Sequence, residues 1–447
     1  MLSYIMRRFL ILTEVIKTYS HIALTILKTL VSYNQRAFIT GKSICDVLHN
    51  ITPDSCRIVT DASALQIKQI FKNAQFNPQN QQITVIEKGI PCIISPTLSN
   101  ECKNDKDLRI YLSHSDFNIS ALAMDSDGKI IDFFGVCDEL KHRQFKSLNN
   151  PVSVFKKSPG KMLSCIMHCA MYNLTPSEDI KAAIIENASL IKTSSREFIF
   201  NRLNHILLSE NPDYIRLIHE TKLLRYIMPQ LEKCFGEPQK NKYHIYDVGE
   251  HIMQTVKKVP CNDILRWAAL FHDIGKPLCS STDSNGVIHF YGHHKESAII
   301  AEELLYKFRM NPEKTSQIIT LIEYHDVRID NTESAIKRIM SRLDYDLFLK
   351  LLDLQLADNS AKNPVYLSDK QQKINSSKEI CERIIRNNEP YKVTDLVVSS
   401  RDLINMKCKA GRKIGDTLKT LLEEVIENPT LNNRKYLLNR AKQLISK

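Results

Sequence analysis

The spacing of apolar positions changes character several times along the chain. Through residues 1–32 they recur at helical intervals, interrupted by Arg7, Arg8, Glu14, Lys17, His21 and Lys28, which predicts one or two amphipathic helices. From residue 36 to 132 short, β-branched runs take over. Ala37-Phe38-Ile39-Thr40 and Cys56-Arg57-Ile58-Val59-Thr60 read as strands, while residues 41–48 and 64–71 return to helical spacing. Two hairpins follow, over residues 83–95 around Lys88-Gly89 and over residues 120–133 around Asp125-Ser126-Asp127-Gly128. Residues 146–235 and 244–360 carry helical spacing, with Pro151, Pro176 and Pro212 as breaks and Phe235-Gly236-Glu237-Pro238-Gln239 as a linker. After a polar stretch at 359–372, a last helical segment runs from Asp395 to Lys447. The expected fold class is α+β: a small mixed-sheet head, then a mostly α-helical remainder, in four parts at 1–145, 146–235, 240–365 and 375–447.

Composition agrees with this picture. The chain has 447 residues, too many for one ordinary domain. It has only 12 glycines, none between Lys161 and Phe235, against a usual share of about 7%, and few glycines mean few positive-φ turns. The apolar runs fall short of the roughly 18 residues that a membrane span needs, and the run after Arg7-Arg8 is too short for a signal peptide. Twelve cysteines without a CxxC pair suit a reducing compartment. Cys165 and Cys169, beside His168, read as core residues. A cytoplasmic protein with no membrane partner is expected; the oligomeric state is not encoded in any pattern seen here.

The net charge is +11, and residues 401–447 alone hold 11 Lys/Arg against 5 Asp/Glu. A basic tail fits an anionic polymer, most simply RNA, or equally a solvated helical face.

The chemistry concentrates in the histidines. His251 lies on one expected helix. The next is apolar and ends in His272-Asp273-Ile274-Gly275-Lys276-Pro277. Gly292-His293 follows a loop, His325 ends a later helix, and Asp358 lies near the end of another. Imidazole nitrogens and carboxylate oxygens are the donors a divalent cation takes. Any one of these histidines alone reads more simply as a satisfied core residue. The order of the whole set points to a metal site of His251, His272, Asp273, His293, His325 and Asp358. A cation so held acidifies water for attack on phosphorus. Asp273 is the candidate for orienting that water, and Lys276 for steadying a phosphate oxygen. Mg, Mn, Ni, Co and Fe are not distinguished by such a donor set. His244, His289 and His294 read as surface or supporting residues.

The runs from His272 to Pro277, from Phe290 to His294 and from Tyr246 to His251 resemble the HD domain of bacterial tRNA nucleotidyltransferases. That resemblance implies metal-dependent phosphohydrolase chemistry, with ligands His251, His272-Asp273 and Asp358, and with His293 and His325 as the added histidines of two-metal members. It extends over nearly the whole chain. The head resembles the nucleotidyltransferase domain of the tRNA nucleotidyltransferase and poly(A) polymerase family. Thr60-Asp61-Ala62 fits its TDA, residues 116–122 its RRDFTINAL segment, and residues 128–135 the hairpin after it. The tail fits through Asp402-Leu403, Gly411, Ile414-Gly415 and Leu418.

The catalytic letters of that head are largely replaced. The Gly-Gly loop reads Gly41-Lys42, and the Arg-Asp after it Cys45-Asp46. The metal-binding DxD falls on Ser55-Cys56-Arg57, the RRD triplet on His114-Ser115-Asp116, and EDPLRxLR on residues 157–164. The ERxxxEL helix falls on Glu197-Phe198 through Arg202-Leu203. Nucleotidyl transfer needs two carboxylates two residues apart on one strand face. Serine is a weak ligand, and a permanently charged Arg57 repels the cation. Asp105/Asp107 and Asp125/Asp127 have the spacing but lie elsewhere, and Asp54 and Asp61 are seven apart.

Three functions are therefore expected in competition. The first is an HD phosphohydrolase or phosphodiesterase acting on RNA ends, 2′,3′-cyclic phosphates or nucleotides, with an inactive transferase head. The second is an active CCA-adding tRNA nucleotidyltransferase. The third is a non-catalytic protein gripping tRNA or other RNA through Lys42, Arg57, Lys161, Arg412 and Lys413.

Overall fold

A computed structural model describes residues 22–78, 82–98, 105–241, 243–366, 368–406, 408 and 411–446. Residues 22–32 are helical as expected; the part of that expectation that covers residues 1–21 lies outside the described residues. The α+β class is borne out, and the chain divides into two compact units. One is made of residues 1–195 and 220–226, the other of residues 196–219 and 227–447.

The first unit is built on a seven-stranded sheet. Its strands are β1 (Ala37–Thr40), β2 (Cys56–Thr60), β3 (Gln75–Asn77), β4 (Gln82–Glu87), β5 (Ile90–Pro96), β6 (Leu122–Met124) and β7 (Ile130–Asp132), in the order β3-β4-β5-β2-β1-β6-β7. Both expected hairpins are present, β4 with β5 around Lys88-Gly89 and β6 with β7 around Gly128. β2 runs parallel to β5, with Cys56 opposite Cys92, and antiparallel to β1, with Thr60 opposite Ala37. Along β2 only Arg57 is exposed: Ile58 is enclosed on one face of the sheet, and Val59, on the same face as Arg57, is enclosed as well. Helix α1 (Lys42–Leu48) leaves β1 through Gly41, whose φ of +88° favours glycine. Helix α2 (Ala64–Ile70) starts with a capping box, in which Ser63 and Gln66 satisfy each other's backbone N–H groups. Helix α3 (Gly160–Tyr172) buries Cys165 and Cys169 as small apolar residues, as the sequence predicts.

In the second unit the helices that matter are α4 (Val248–Lys258), α5 (Asp263–Phe271), α6 (His293–Lys307), α7 (Pro312–Tyr324) and α8 (Tyr345–Ser360). Each is cut from sequence by a recognisable start. Asp247, Asn262, Asn311 and Asp344 accept a hydrogen bond from a first-turn N–H of α4, α5, α7 and α8, and Gly292, at φ +76°, launches α6. α5 is buried from Ile264 to Phe271 and anchors the unit. Trp267 is fully enclosed, stacks on Phe200 and donates its Nε1–H to Asn204 at 3.0 Å. Burying a side chain of that size contributes about 3 kcal/mol.

Two features depart from the expected helices. Residues 280–290 contain a hairpin, Ser280–Thr282 paired with Ile288–Phe290. The polar stretch after residue 359 already belongs in part to a helix, Ser368–Arg386. No helix among the described residues is long and apolar enough to cross a membrane.

Candidate metal centre

The ligand-type residues sit at helix ends that converge. His251 lies on the inward face of α4. His272 and Asp273 continue directly from α5, and His293 is the first residue of α6. His325 follows α7, and Asp358 lies in the last turn of α8. All six are buried. They form two groups that share Asp273: His251, His272, Asp273 and Asp358 in one, and Asp273, His293 and His325 in the other. Among the described residues these are the only clusters of three or more such side chains.

The geometry has the marks of a cation site. The Nδ1 atoms of His272, His293 and His325 lie 2.8, 2.8 and 2.6 Å from the carbonyl oxygens of Ala269, Phe290 and Ile322. A carbonyl only accepts, so each Nδ1 carries the proton and each Nε2 is left with its lone pair. Those Nε2 atoms point inward. His293 and His325 approach to 3.3 Å, and His272 reaches His251 at 3.4 Å. Asp273 spans both groups. Its Oδ2 lies 3.1 Å from His272 and 3.3 Å from His251, and its Oδ1 lies 3.2 Å from His293. That Oδ1 is buried without a hydrogen-bond partner. Lone pairs facing each other around an unsatisfied carboxylate oxygen are costly alone and suited to a bound cation.

Two lysines complete the charge balance. Lys276 donates to Asp273 Oδ2 at 2.6 Å and to Gln239 Oε1 at 2.8 Å, and Lys362 donates to Asp358 Oδ2 at 2.6 Å. Burial pushes the Asp273 carboxyl upward, but His272, Lys276 and the hydrogen bond from His251 outweigh it and hold it well below the usual range. Burial works the same way on Asp358, where Lys362 and His251 prevail. Burial lowers His272. His244, half-buried and edge-on to His251, is pushed down to about 2 by burial and by Lys276. It stays neutral at any ordinary pH.

Placement depends on one close approach. Gly275 packs against the start of α6, and its N–H donates to Ser297 Oγ at 2.9 Å. A Cβ there would lie 2.6 Å from the Ser297 nitrogen and 2.9 Å from the His293 oxygen. Its φ of −82° suits any residue, so the requirement is for space. Gly275→Ala is therefore expected to lower unfolding stability by about 1–3 kcal/mol, the usual cost of overpacking, in a denaturant titration. An unchanged midpoint would contradict the close approach.

The site opens into a cavity of about 330 Å³, whose walls include Asp273, Lys276, Phe290, Tyr291, His294 and Lys362. Phe290 lies under the Lys276 ammonium, 5.3 Å from ring centre to nitrogen, and Tyr291 stands largely exposed at the rim. Sequence reasoning missed Lys362, Gln239 and these aromatic walls. Lys362 had a signal, being four residues after Asp358; Gln239 had none.

The basic residues expected to meet RNA are divided between the two units. Lys42 and Arg57 line a cleft in the first unit. Lys161 is paired with Asp116 at 2.6 Å. In the second unit Lys413 donates to the Ile445 carbonyl, and Arg412 is exposed. The other carboxylate pairs of the head have structural work. Asp105 and Asp107 hold Arg36, and Asp125 caps the β6–β7 turn.

Comparison with known proteins agrees with the architecture. The family described as "HD domain" matches residues 242–359, and "Probable RNA and SrmB- binding site of polymerase A" matches residues 173–235. The chain is 26% identical over 298 residues to a "Multifunctional CCA protein" of Pasteurella multocida (strain Pm70), covering 61% of this chain and 67% of that one. It is 28% identical over 231 residues to a "CCA-adding enzyme" of Geobacillus sp. (strain WCH70), covering 48% and 56%. The matches thus span between about half and two thirds of these relatives. Among solved structures, the Bacillus stearothermophilus CCA-adding enzyme in complex with CTP superposes with a TM-score of 0.68 at 16% identity, over 94% of this chain and 96% of that one. The Thermotoga maritima CCA-adding enzyme complexed with tRNA gives 0.59 at 16% identity, over 97% and 98%. At such identity the likeness shows the fold.

Proposed function

Because this chain belongs to the tRNA nucleotidyltransferase and poly(A) polymerase family and carries an HD domain, we propose that it is a metal-dependent phosphohydrolase acting on phosphoesters of RNA ends or nucleotides. The observation that carries this reading is the buried Asp273, each of whose oxygens faces a separate histidine group. His251, His272, Asp273 and Asp358 would hold one cation, and Asp273, His293 and His325 a second. When bound, the ions supply Lewis acidity and acidify the attacking water. The chain's own residues do the rest. The carbonyls on Nδ1 keep the imidazoles in the liganding tautomer. Lys276 orients the Asp273 carboxylate and Lys362 that of Asp358. The cavity offers Phe290 and Tyr291 as apolar surface for a nucleoside beside the ligand groups, where bound cations would meet its phosphate. The partner in this reading is tRNA, the ligand named for one of the solved relatives.

The test uses protein purified without chelator and a panel of 2′,3′-cyclic nucleotides, nucleoside monophosphates and 3′-phosphorylated RNA. Turnover is expected to fall to background with EDTA and to return on adding one of Mg, Mn, Ni, Co or Fe(II). No turnover with any pairing of metal and substrate would sink the proposal.

CCA addition is the second reading, and the names of the relatives favour it over hydrolysis. It rests on the fold likeness over 94% of the chain to a CCA-adding enzyme with CTP. Against it stands a head cleft whose lining residues include no carboxylate.

A further inference from the structure

The HD centre is bordered by two cavities. Besides the one walled by Phe290 and Tyr291, a second of about 520 Å³ reaches the same centre, and the two share His325, Asp326, Asp358 and Lys362. Both volumes fall in the range of small-molecule sites, about 300–1,000 Å³. A single nucleotide engages the first cavity and leaves the second without an occupant.

The second cavity has fixed walls. One is the segment 326–331 after α7, which is fastened at both ends. Gln355 Nε2 donates to the His325 and Val327 carbonyls at 3.0 and 2.9 Å. Asn331 Nδ2 donates to the Lys373 carbonyl at 2.8 Å, and its Oδ1 accepts from Ser377 Oγ at 3.1 Å. Another wall is the helix Ser368–Arg386, whose Lys370, Lys373, Ile374 and Ser377 recur at helical spacing and so share one face. Leu352 and Ile374, both buried, add apolar surface.

The cations without a carboxylate partner stand in this second cavity. Lys276 and Lys362 are paired with Asp273 and Asp358. Arg328, Lys370 and Lys373 also line the second cavity, and none of the three forms an ion pair with a described residue. Asp326 and Asp330 lie on the same loop as Arg328, so the unpaired cations outnumber the unpaired carboxylates three to two. Partial burial, and then the nearby Lys362, hold the Lys370 ammonium below the ordinary lysine value. An anion beside it offsets both effects.

Resting on the hydrolytic reading above, we propose that the HD centre acts on a phosphodiester with a nucleoside on each side, an RNA strand rather than a mononucleotide. One nucleoside lies in each cavity, with the scissile phosphate at the residues they share. The next phosphate along the strand meets Lys370, Lys373 and Arg328. Hydrolysis forms one bond, from water oxygen to phosphorus, and breaks one, from phosphorus to the departing ester oxygen. One water proton ends on that oxygen as a new hydroxyl. The other is released to solvent, leaving a phosphate monoester.

The test is calorimetric titration of the full chain, purified without chelator. The probes are a nucleoside monophosphate and dinucleotides that carry a phosphorothioate link and a terminal phosphate at the 5′ or the 3′ end. At least one dinucleotide is expected to bind about tenfold or more tightly than the monophosphate, with the steeper salt dependence of added phosphate contacts. Substituting Lys370→Gln and Lys373→Gln together should shrink that advantage to about threefold or less. Arg328→Gln, on a different element, should reduce it as well, which damage to the helix would not explain. Equal binding of monophosphate and dinucleotides, or an advantage that survives the double substitution, would overturn the proposal. Binding is read here without turnover, so these outcomes are separate from those of the substrate panel that tests hydrolysis itself.

Discussion

Asp273→Ala is expected to abolish metal-stimulated phosphoester hydrolysis, with a loss on the order of a thousandfold or more, and to empty both cation positions together. The reasoning is geometric. Asp273 belongs to both ligand groups, with one oxygen turned to each. Removing it leaves three donors in one group and two in the other, with the buried Lys276 ammonium held by Gln239 but without a carboxylate to balance its charge. Several kcal/mol of Lewis-acid stabilisation are lost, and each 1.36 kcal/mol is a factor of ten in rate. Elemental analysis should find the variant depleted in metal, and the substrate panel should find it inert. His293→Ala is the comparison. It strips only the second group, so part of the metal should remain. If Asp273→Ala kept its metal and its turnover, the site would have to be sought elsewhere.

The second large effect concerns the head. With tRNA lacking its CCA end, CTP, ATP and magnesium, the unaltered chain is expected to add no nucleotide. Metal-assisted transfer without the metal's ligands forfeits several kcal/mol, or on the order of a thousandfold or more in rate. Ser55, Cys56 and Arg57 stand at the entry of β2, and Arg57 adds a fixed positive charge where a cation would have to sit. Real extension of the tRNA would refute the assignment of that strand and restore CCA addition as the function. The assay is also indifferent to the HD centre, so its outcome and that of Asp273→Ala are independent.

Six strands of the head were legible because β-branched runs such as Cys56–Thr60 are bounded by turn residues, and Lys88-Gly89 and Gly128 mark their hairpins; β3, short and exposed with polar ends, was not. The order of the sheet was not legible. β1 lies between β2 and β6 through contacts that no local pattern encodes. In the second unit the helix starts were written in Asp247, Asn262, Asn311 and Asp344. The helix Ser368–Arg386 was hidden because residues 369–373 are polar and mostly exposed, so its buried positions begin only at Ile374. The hairpin over residues 280–290 was hidden for the opposite reason. It is short, half of it is serine and threonine, and its pairing is visible only across the turn. Of the site, residue type and order pointed to the six ligand-type side chains. Lys362 and Gln239 act through side-chain reach in three dimensions, and the unpaired Asp273 oxygen is a property of packing.

Lys276 and Lys362 each already neutralise one of the two ligand carboxylates. Any cation the centre takes up therefore brings its whole charge into the cavity as surplus. Field lines focused by low-dielectric walls extend such a surplus beyond the cavity mouth, and anions are drawn along them before contact. Capture of a phosphorylated substrate by the loaded protein should then be a steered encounter, faster in dilute buffer and slowed as the Debye length contracts.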